Sequence, residues 1–426
     1  MKKVLFTIQW YGIPSKIAAS ANALCDENII AEMRRSKKYE IHVLSYGVSG
    51  YPLEENIDGV FVHRFKRNLF WDYYVRNRTS NSVVYKLLRI FSRFILRIKQ
   101  ITFIPIFPNF EPLHTYKFEQ EAKTLQKKYK FNAVFAEFNG IDSLYAGLAI
   151  KKQNPNIIYI PLCWDSISGG RLARFIPKRI CLALRRRAEI NVMKYADAAI
   201  VMRSSKSFHD KYTSKYSYYN KLLFLDVPYF IIRDKHSLNK PIGNTIKLLF
   251  SGTMSDRTPK PLFEAMSCLE YNFEFLFICT SEFHSKLLSY NRVYPNIVIE
   301  CLPYMSHEEL IAHQEQSDIL VNFGVSNFNA VSGKIFDYMS TGKAIISTAK
   351  AEKDPCIPYL KKYPISLVFY ENHDANRNVR LLSDFIERAK HSNVNVKDIQ
   401  ERFEENTPET YLKTIENIIE MREHLN

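Results

Sequence analysis

Residues 317–347, SDILVNFGVSNFNAVSGKIFDYMSTGKAIIS, put a lysine and a carboxylate three residues apart at the start of a short helix. An apolar run ends at Phe323, a polar loop with glycine follows, and Ser332-Gly333-Lys334 leads into the helix that carries Asp337. Thr341-Gly342-Lys343 closes that helix, with Gly342 at the expected C-cap, and a second apolar run begins. In an open parallel sheet, ligands lie beyond the carboxyl ends of strands, where helix N-termini offer free N–H groups to phosphate. Lys334 adds a cation there, and Asp337 offers a carboxylate to both hydroxyls of a ribose. A solvated Lys and Asp on an ordinary strand–loop–helix is the plainer reading of the same residues.

A second set follows the run Ile246–Ser251, in SGTMSDRTPKP. Gly252 lets the backbone approach a ligand closely, and Arg257 and Lys260 stand at the start of the next helix. Two cations at a helix start behind such a glycine suit an anionic ligand, whose charge needs cations or helix dipoles. No D-x-D motif ends a strand, and no Cys/His cluster has metal-ligand spacing, so no metal is expected.

The elements that must position these residues alternate along the whole chain. Apolar runs at 3–9, 39–46, 60–65, 133–138, 156–162 and 196–202 are separated by helical segments, and a second series runs through 246–251, 274–279, 296–301, 319–323 and 344–347. Such runs, separated by helices, predict parallel sheets covered on both faces. Ser306 with Glu309 gives a capping-box pattern to a helix at 306–317. The 426 residues suit two domains of roughly 200 residues each, divided at the polar stretch 232–244. Neither half carries G-x-G-x-x-G after its first strand or G-x-x-x-x-G-K-[ST], which disfavours dinucleotide oxidoreductases and P-loop ATPases.

The segment VSGKIFDYMSTGKAII resembles the "PSK-x-FEY-(M/L)-x-(T/A)-GKP-(I/V)-I" segment of many GT-B-fold glycosyltransferases, particularly the bacterial family-4-like group, and the match extends to the preceding strand. The resemblance is specific in the C-terminal half and weak in the first. It implies an α/β protein of GT-B architecture, with two Rossmann-like doubly wound domains facing a cleft. Residues 1–235 would form the acceptor-binding domain and 245–408 the nucleotide-sugar domain, with a helix at 409–426 crossing back to the first. It further implies that Asp337, one methylene shorter than the family's Glu, binds the donor ribose. The family's sugar-facing Glu is here Asn329, an amide that can bond a sugar hydroxyl but cannot hold charge beside an oxocarbenium ion. Arg257 and Lys260 take the diphosphate, Ser332 and Gly333 belong to its cradle, and Tyr304 of Pro303-Tyr304-Met305 lies where the base stacks. In the first half, Gly12 after the first strand faces the donor phosphates across the cleft. Asp165, where Trp164 replaces the family's His, is a candidate general base or sugar ligand; Glu137 is another. Capping or loop roles remain open for both acids, and His114, among Phe and Pro, reads as structural.

The net charge of +15 is concentrated. Residues 64–99 carry +9 and 168–194 carry +7, so the remainder is near neutral and an anionic partner is expected. Residues 83–101 are helical in period, with apolar residues at 84, 87, 88, 91, 94, 95 and 98 and basic ones at 86, 89, 93 and 97. Such a helix either lies in an anionic membrane interface or packs on its own domain. The N-terminal run reads as a first strand rather than a signal peptide, and the scattered cysteines fit a reducing compartment. Together these features predict a cytoplasmic hexosyltransferase, peripheral on the inner face of the cell membrane. It would use a UDP- or GDP-linked sugar and no cofactor, and extend a glycan or lipid-linked acceptor. A basic nucleic-acid-binding protein and a nucleotide-sugar epimerase of the same fold are the alternatives. The first lacks a recognisable binding motif, so no nucleic acid partner is expected.

Overall fold

The computed structural model describes residues 1–13, 21–77, 83–169, 176–231, 243–326, 331–392 and 394–424. The chain forms two units, Met1–Pro228 with Pro408–Asn426, and Tyr229–Thr407. The division falls earlier than the sequence suggested, because Tyr229 and Phe230 are core residues of the second unit. Phe230 donates its N–H to Asn406 O at 3.0 Å and stacks on Phe403. Residues 232–242 of the expected linker lie outside the described residues.

The first unit is built on β1 (Lys2–Thr7), β2 (Tyr39–Gly47), β3 (Glu54–Ile57), β4 (Val60–Lys66), β5 (Ala133–Glu137), β6 (Ile158–Cys163), β7 (Ala199–Met202) and β8 (Leu222–Leu225). The apolar runs are buried for the reason their composition gives: strands covered on both faces carry no polar side. Val4, Leu5 and Phe6 of β1 are fully buried, as are Val134, Phe135 and Ala136 of β5. The order is β3-β4-β2-β1-β5-β6-β7-β8, parallel throughout except for the β3–β4 pair. The chain thus fills the sheet outward from β1 on one side, then returns to the other side with β5.

The second unit holds β9 (Thr245–Ser251), β10 (Asn272–Ile278), β11 (Ile297–Leu302), β12 (Ile319–Asn322), β13 (Ala344–Ala349) and β14 (Ser366–Tyr370). Its order, β11-β10-β9-β12-β13-β14, is all parallel and reverses between β9 and β12. Both sheets therefore have a switch point, β1/β5 and β9/β12, beyond whose carboxyl ends a ligand is expected. The capping box read from Ser306 and Glu309 forms, with both reciprocal bonds present at the start of the His307–Gln316 helix.

The helix Pro408–Glu423 packs on Ala21–Ser36 of the first unit through buried Tyr411, Ile415, Ile418 and Ile419. Its polar edge is tied down by the pairs Lys2–Glu423 at 2.7 Å, Lys38–Glu416 at 2.8 Å and Arg422–Asp197 at 2.8 Å.

Candidate functional site

At the carboxyl end of β9, Gly252 adopts φ +134°, a conformation that side chains resist. A Cβ there would lie 1.7 Å from Lys334 Nζ, so the ammonium occupies the space a side chain would take. Lys334 opens the Lys334–Met339 helix after the β12 loop, and its Nζ stands 5.0 Å from the Phe250 ring centroid. Arg257 is fixed across the same switch point. Its Nε donates to Phe323 O beyond β12 at 2.8 Å, and its Nη1 donates to Thr253 O at 2.7 Å.

Arg257 and Lys334 are close enough to feel each other. Burial first, and the Arg257 charge second, lower the Lys334 pKa to about 7. Among the described residues neither cation is ion-paired. Two neighbouring cations, Arg257 offset in part by the Asp256 carboxylate and Lys334 without an ion pair among the described residues, form a site for an anion.

The surrounding polar groups keep this end of the sheet in shape. Ser332 Oγ donates to Asn322 Oδ1 at 3.2 Å, and Asn322 Nδ2 donates to Ser347 Oγ at 2.9 Å. Ser251 N–H donates to the buried Tyr338 hydroxyl at 3.2 Å. Gly333 lies against Tyr229, whose ring would be 1.9 Å from an added Cβ. Asp256 accepts from Ser326 N–H at 2.7 Å and from Lys350 Nζ at 3.3 Å, joining the β9 and β12 loops. Asp337 is half-buried and accepts from Nε2 of buried Gln314 at 2.8 Å, which orients its carboxylate. Beside Arg257 a cavity of about 300 Å³ is lined by Met254, Phe283, Lys286 and Tyr290 among others. A planar base fits such a wall. Tyr304 is half-buried and near enough for its phenol to bear on the Arg257 charge, but it does not line that cavity.

Gly252, Arg257, Ser332, Gly333 and Lys334 thus come together. Lys260 does not join them: it is exposed and paired with Glu264 one helical turn on, at 3.5 Å. Asn329 lies outside the described residues.

In the first unit the β1/β5 switch point is acidic. Glu137, 1% exposed at the end of β5, accepts from Gln9 N–H at 3.2 Å through Oε2, while its buried Oε1 has no hydrogen-bond partner among the described residues. Gln9 Nε2 donates to Asp142 Oδ1 at 3.1 Å, and the Tyr46 hydroxyl donates to the other Asp142 oxygen. Asp26, fully buried, accepts from Trp164 Nε1 at 3.0 Å through Oδ1, and its Oδ2 has no hydrogen-bond partner among the described residues either. Burial is the main cause that pushes the Glu137 pKa up to about 8; it also raises Asp26 well above the carboxylate range, with the charge of Glu137 adding to it.

Sequence reasoning found Glu137 but missed Asp26, Gln9 and Asp142. The available signal was position: Gln9 follows β1, Asp26 lies on the Ala21–Ser36 helix after it, and Asp142 follows β5. Asp165 is exposed just after β6 and adjoins Trp164. Gly12, at φ +63°, is hemmed in by Ile57 and by Arg64, which donates to Tyr11 O at 3.2 Å. Its glycine therefore has a packing cause. His114 contacts Asn68 at 3.4 Å, and burial with the Arg67 and Lys99 charges lowers its pKa to about 4.

No family model matches the chain, and no curated protein does. Solved structures do. Anabaena Alr3699/HepE in complex with UDP aligns over 99% of this chain and 100% of its own, at TM-score 0.59 and 11% identity. A glycosyltransferase from Rickettsia africae ESF-5 aligns over 99% and 98%, at TM-score 0.57 and 13% identity. The chain has the GT-B fold. A Listeria monocytogenes protein provisionally named a UDP-N-acetylglucosamine 2-epimerase aligns over 92% and 90%, at TM-score 0.50 and 9% identity. The GT-B fold at such identities fixes the architecture and leaves the chemistry to the site itself.

Two expectations follow from the β9/β12 site. Gly252→Ala places a methyl group on the Lys334 ammonium and strains the backbone. It lowers the affinity for nucleoside diphosphates by roughly tenfold, about the effect of ~1.4 kcal/mol, while calorimetric unfolding stays cooperative. An unchanged dissociation constant would separate Lys334 from the anion. The pH dependence has a definite sign as well. Below pH 7 Lys334 is already charged, whereas above it a bound diphosphate must draw in a proton. Affinity therefore falls as pH rises, by roughly fivefold between pH 7 and pH 8 for a pKa of about 7. Titration calorimetry in buffers of different ionisation heat detects that proton, and Lys334→Ala abolishes its uptake.

Proposed function

We propose that this chain is a hexosyltransferase that moves a sugar from a UDP- or GDP-linked donor to a growing, lipid-linked surface oligosaccharide or polysaccharide. It works without a metal or other cofactor, at the cytoplasmic face of an anionic cell membrane. The observation that carries the reading is the pair of cations, neither ion-paired among the described residues, at the β9/β12 switch point. The leaving group is a nucleoside diphosphate, and the charge it gains as the glycosidic bond breaks meets Arg257 and a Lys334 that becomes fully protonated beside it. That the HepE structure of the same fold is a complex with UDP supports the choice of anion.

Asp337, oriented by Gln314, accepts from the ribose hydroxyls, and the Phe283–Tyr290 wall takes the base that the sequence had assigned to Tyr304. Ser332 and Gly333 border the phosphates, and Lys260 reaches them by releasing Glu264. Asn329 offers an amide to the transferred sugar. On the acceptor side, Glu137 holds its proton below about pH 8 and so is no base at neutral pH. Exposed Asp165 is the carboxylate assigned to the acceptor hydroxyl.

The test is a thermal-shift series with UDP, GDP, CDP, ADP and dTDP, each with Mg²⁺ and with a chelator. A ligand that binds the native state raises the midpoint with concentration. One nucleotide that does so in the chelator supports the reading and names the base; no shift with any of them defeats it. Turnover of a nucleotide sugar with no acceptor present would instead mark an epimerase.

A further inference from the structure

The helix Val83–Thr102 spans about 30 Å and is inverted relative to an ordinary surface helix. Val83, Leu87, Ile90, Phe94, Ile98 and Ile101 recur at three- and four-residue spacing and form one stripe. That stripe faces away from the protein: Val83 is 71% exposed, Leu87 61%, Ile90 64% and Phe94 57%. The helix buries only Tyr85, which meets Tyr74 at a ring separation of 5.6 Å. Leu88 and Ile95, which the sequence grouped with the apolar face, turn half inward. Phe91 extends the outward surface to Phe70 of the neighbouring Leu69–Arg76 helix, at 6.1 Å between rings.

A folded chain ordinarily hides such a stripe, and a contiguous exposed apolar patch marks a binding surface. The charge around the stripe says what binds. The helix carries Lys86, Arg89, Arg93, Arg97 and Lys99 and no acid. At 100° per residue, exposed Lys86, Arg93 and Arg97 fall along one border of the stripe. Cations beside a broad apolar face suit a helix lying flat at a bilayer surface, with its hydrocarbon side below the headgroups and its cations among the phosphates. Among the described residues no helix is long and apolar enough to cross a membrane. A second copy laid on this face would set five cations against five, whereas an anionic bilayer supplies the opposite charge.

We infer that the outward face of Val83–Thr102 is a docking surface for an anionic lipid bilayer, seated flat in its headgroup region. The inference deepens the transferase reading, which gives docking its purpose, but the surface stands on its own geometry.

The experiment is co-sedimentation of the full chain with vesicles of phosphatidylcholine, alone or mixed with phosphatidylglycerol. The unmodified chain sediments with the mixed vesicles, does so far less with phosphatidylcholine alone, and is released by salt. Lys86→Gln with Arg93→Gln weakens partition by about fivefold for each cation removed. Leu87→Ser with Phe94→Ser abolishes it. These side chains are exposed, so the double variant keeps its melting temperature and its nucleoside diphosphate affinity. Three results overturn the inference: no vesicle binding by the unmodified chain, full binding by the Leu87→Ser/Phe94→Ser variant, or a lipid-free dimer that this variant dissolves. Duplex nucleic acid bound more tightly than mixed vesicles would also overturn it. Failure of every nucleotide assay with vesicle binding intact would defeat the transferase reading and leave the docking surface standing.

Discussion

Lys334→Ala and Arg257→Ala each lower the affinity for a nucleoside diphosphate by about 10- to 100-fold, measured by calorimetry near pH 6.5 and low salt. The size follows from losing a hydrogen bond to a charged group, worth roughly 1.5–3 kcal/mol. The two losses are not equivalent. Arg257 also holds Phe323 O and Thr253 O together, so its removal loosens the β9 loop, and Arg257→Lys recovers little because one ammonium cannot reproduce the fork. Lys334 makes no such backbone bonds among the described residues, so its loss acts chiefly on the anion. The double variant loses slightly more than the sum of the two, because each single variant escapes the protonation cost that Arg257 imposes on Lys334 in the unmodified chain. If both single variants bind within twofold of the unmodified chain, the diphosphate lies elsewhere.

The second large effect is on stability. Glu137 has a folded pKa of about 8 against an unfolded value near 4.5. A raised carboxyl pKa means that the folded chain holds the proton more tightly. The stabilisation is therefore complete below about pH 4.5 and is lost as pH rises through about 8. Each pKa unit is worth ~1.4 kcal/mol, so the loss across this window is on the order of a few kcal/mol. Asp26 shifts in the same direction. Burial lowers the pKa of His42, His63 and His209, which favours folding as pH rises at the acid end. The decisive quantity is therefore the difference between the unmodified chain and Glu137→Gln. Glutamine keeps the shape and an acceptor for Gln9 N–H but does not titrate. The variant gains melting temperature relative to the unmodified chain as pH goes from 5 to 8.5. Parallel curves over that range would mean that Glu137 is ionised in the folded chain at neutral pH.

The contrast between the two sites also shows what a sequence can reveal. Strands β1, β5, β6, β7, β12 and β13 were legible because burial on both faces leaves them almost wholly apolar, and β2, β4, β9, β10 and β11 because their apolar residues still predominate. Strand β3, reading EENI, was not: it is a polar edge strand whose only partner is β4. Lys334 was legible because it follows Ser332-Gly333 at a strand–helix junction. The fixation of Arg257 was not, because its partners are backbone carbonyls and one of them lies 66 positions away. Lys260 was grouped with Arg257 by proximity in sequence, yet the first helical turn carries it outward to Glu264. Asp26 looks like an ordinary polar residue of an amphipathic helix. Only the fold brings Trp164, 138 positions later, to its carboxylate. Helical period identified residues 83–101, but only packing revealed which face turns away from the protein.

The return of the chain at Pro408 sets an order of completion during synthesis. All residues of the second unit have left the ribosome before the first unit receives its last helix, although the first unit was begun earlier. Until Tyr411, Ile415, Ile418 and Ile419 arrive, Ala21–Ser36 lacks the cover that this last helix gives it and needs guarding against aggregation. A stop codon or a protease cut near residue 407 would accordingly damage the beginning of the protein and spare the middle, the reverse of what its place in the gene suggests.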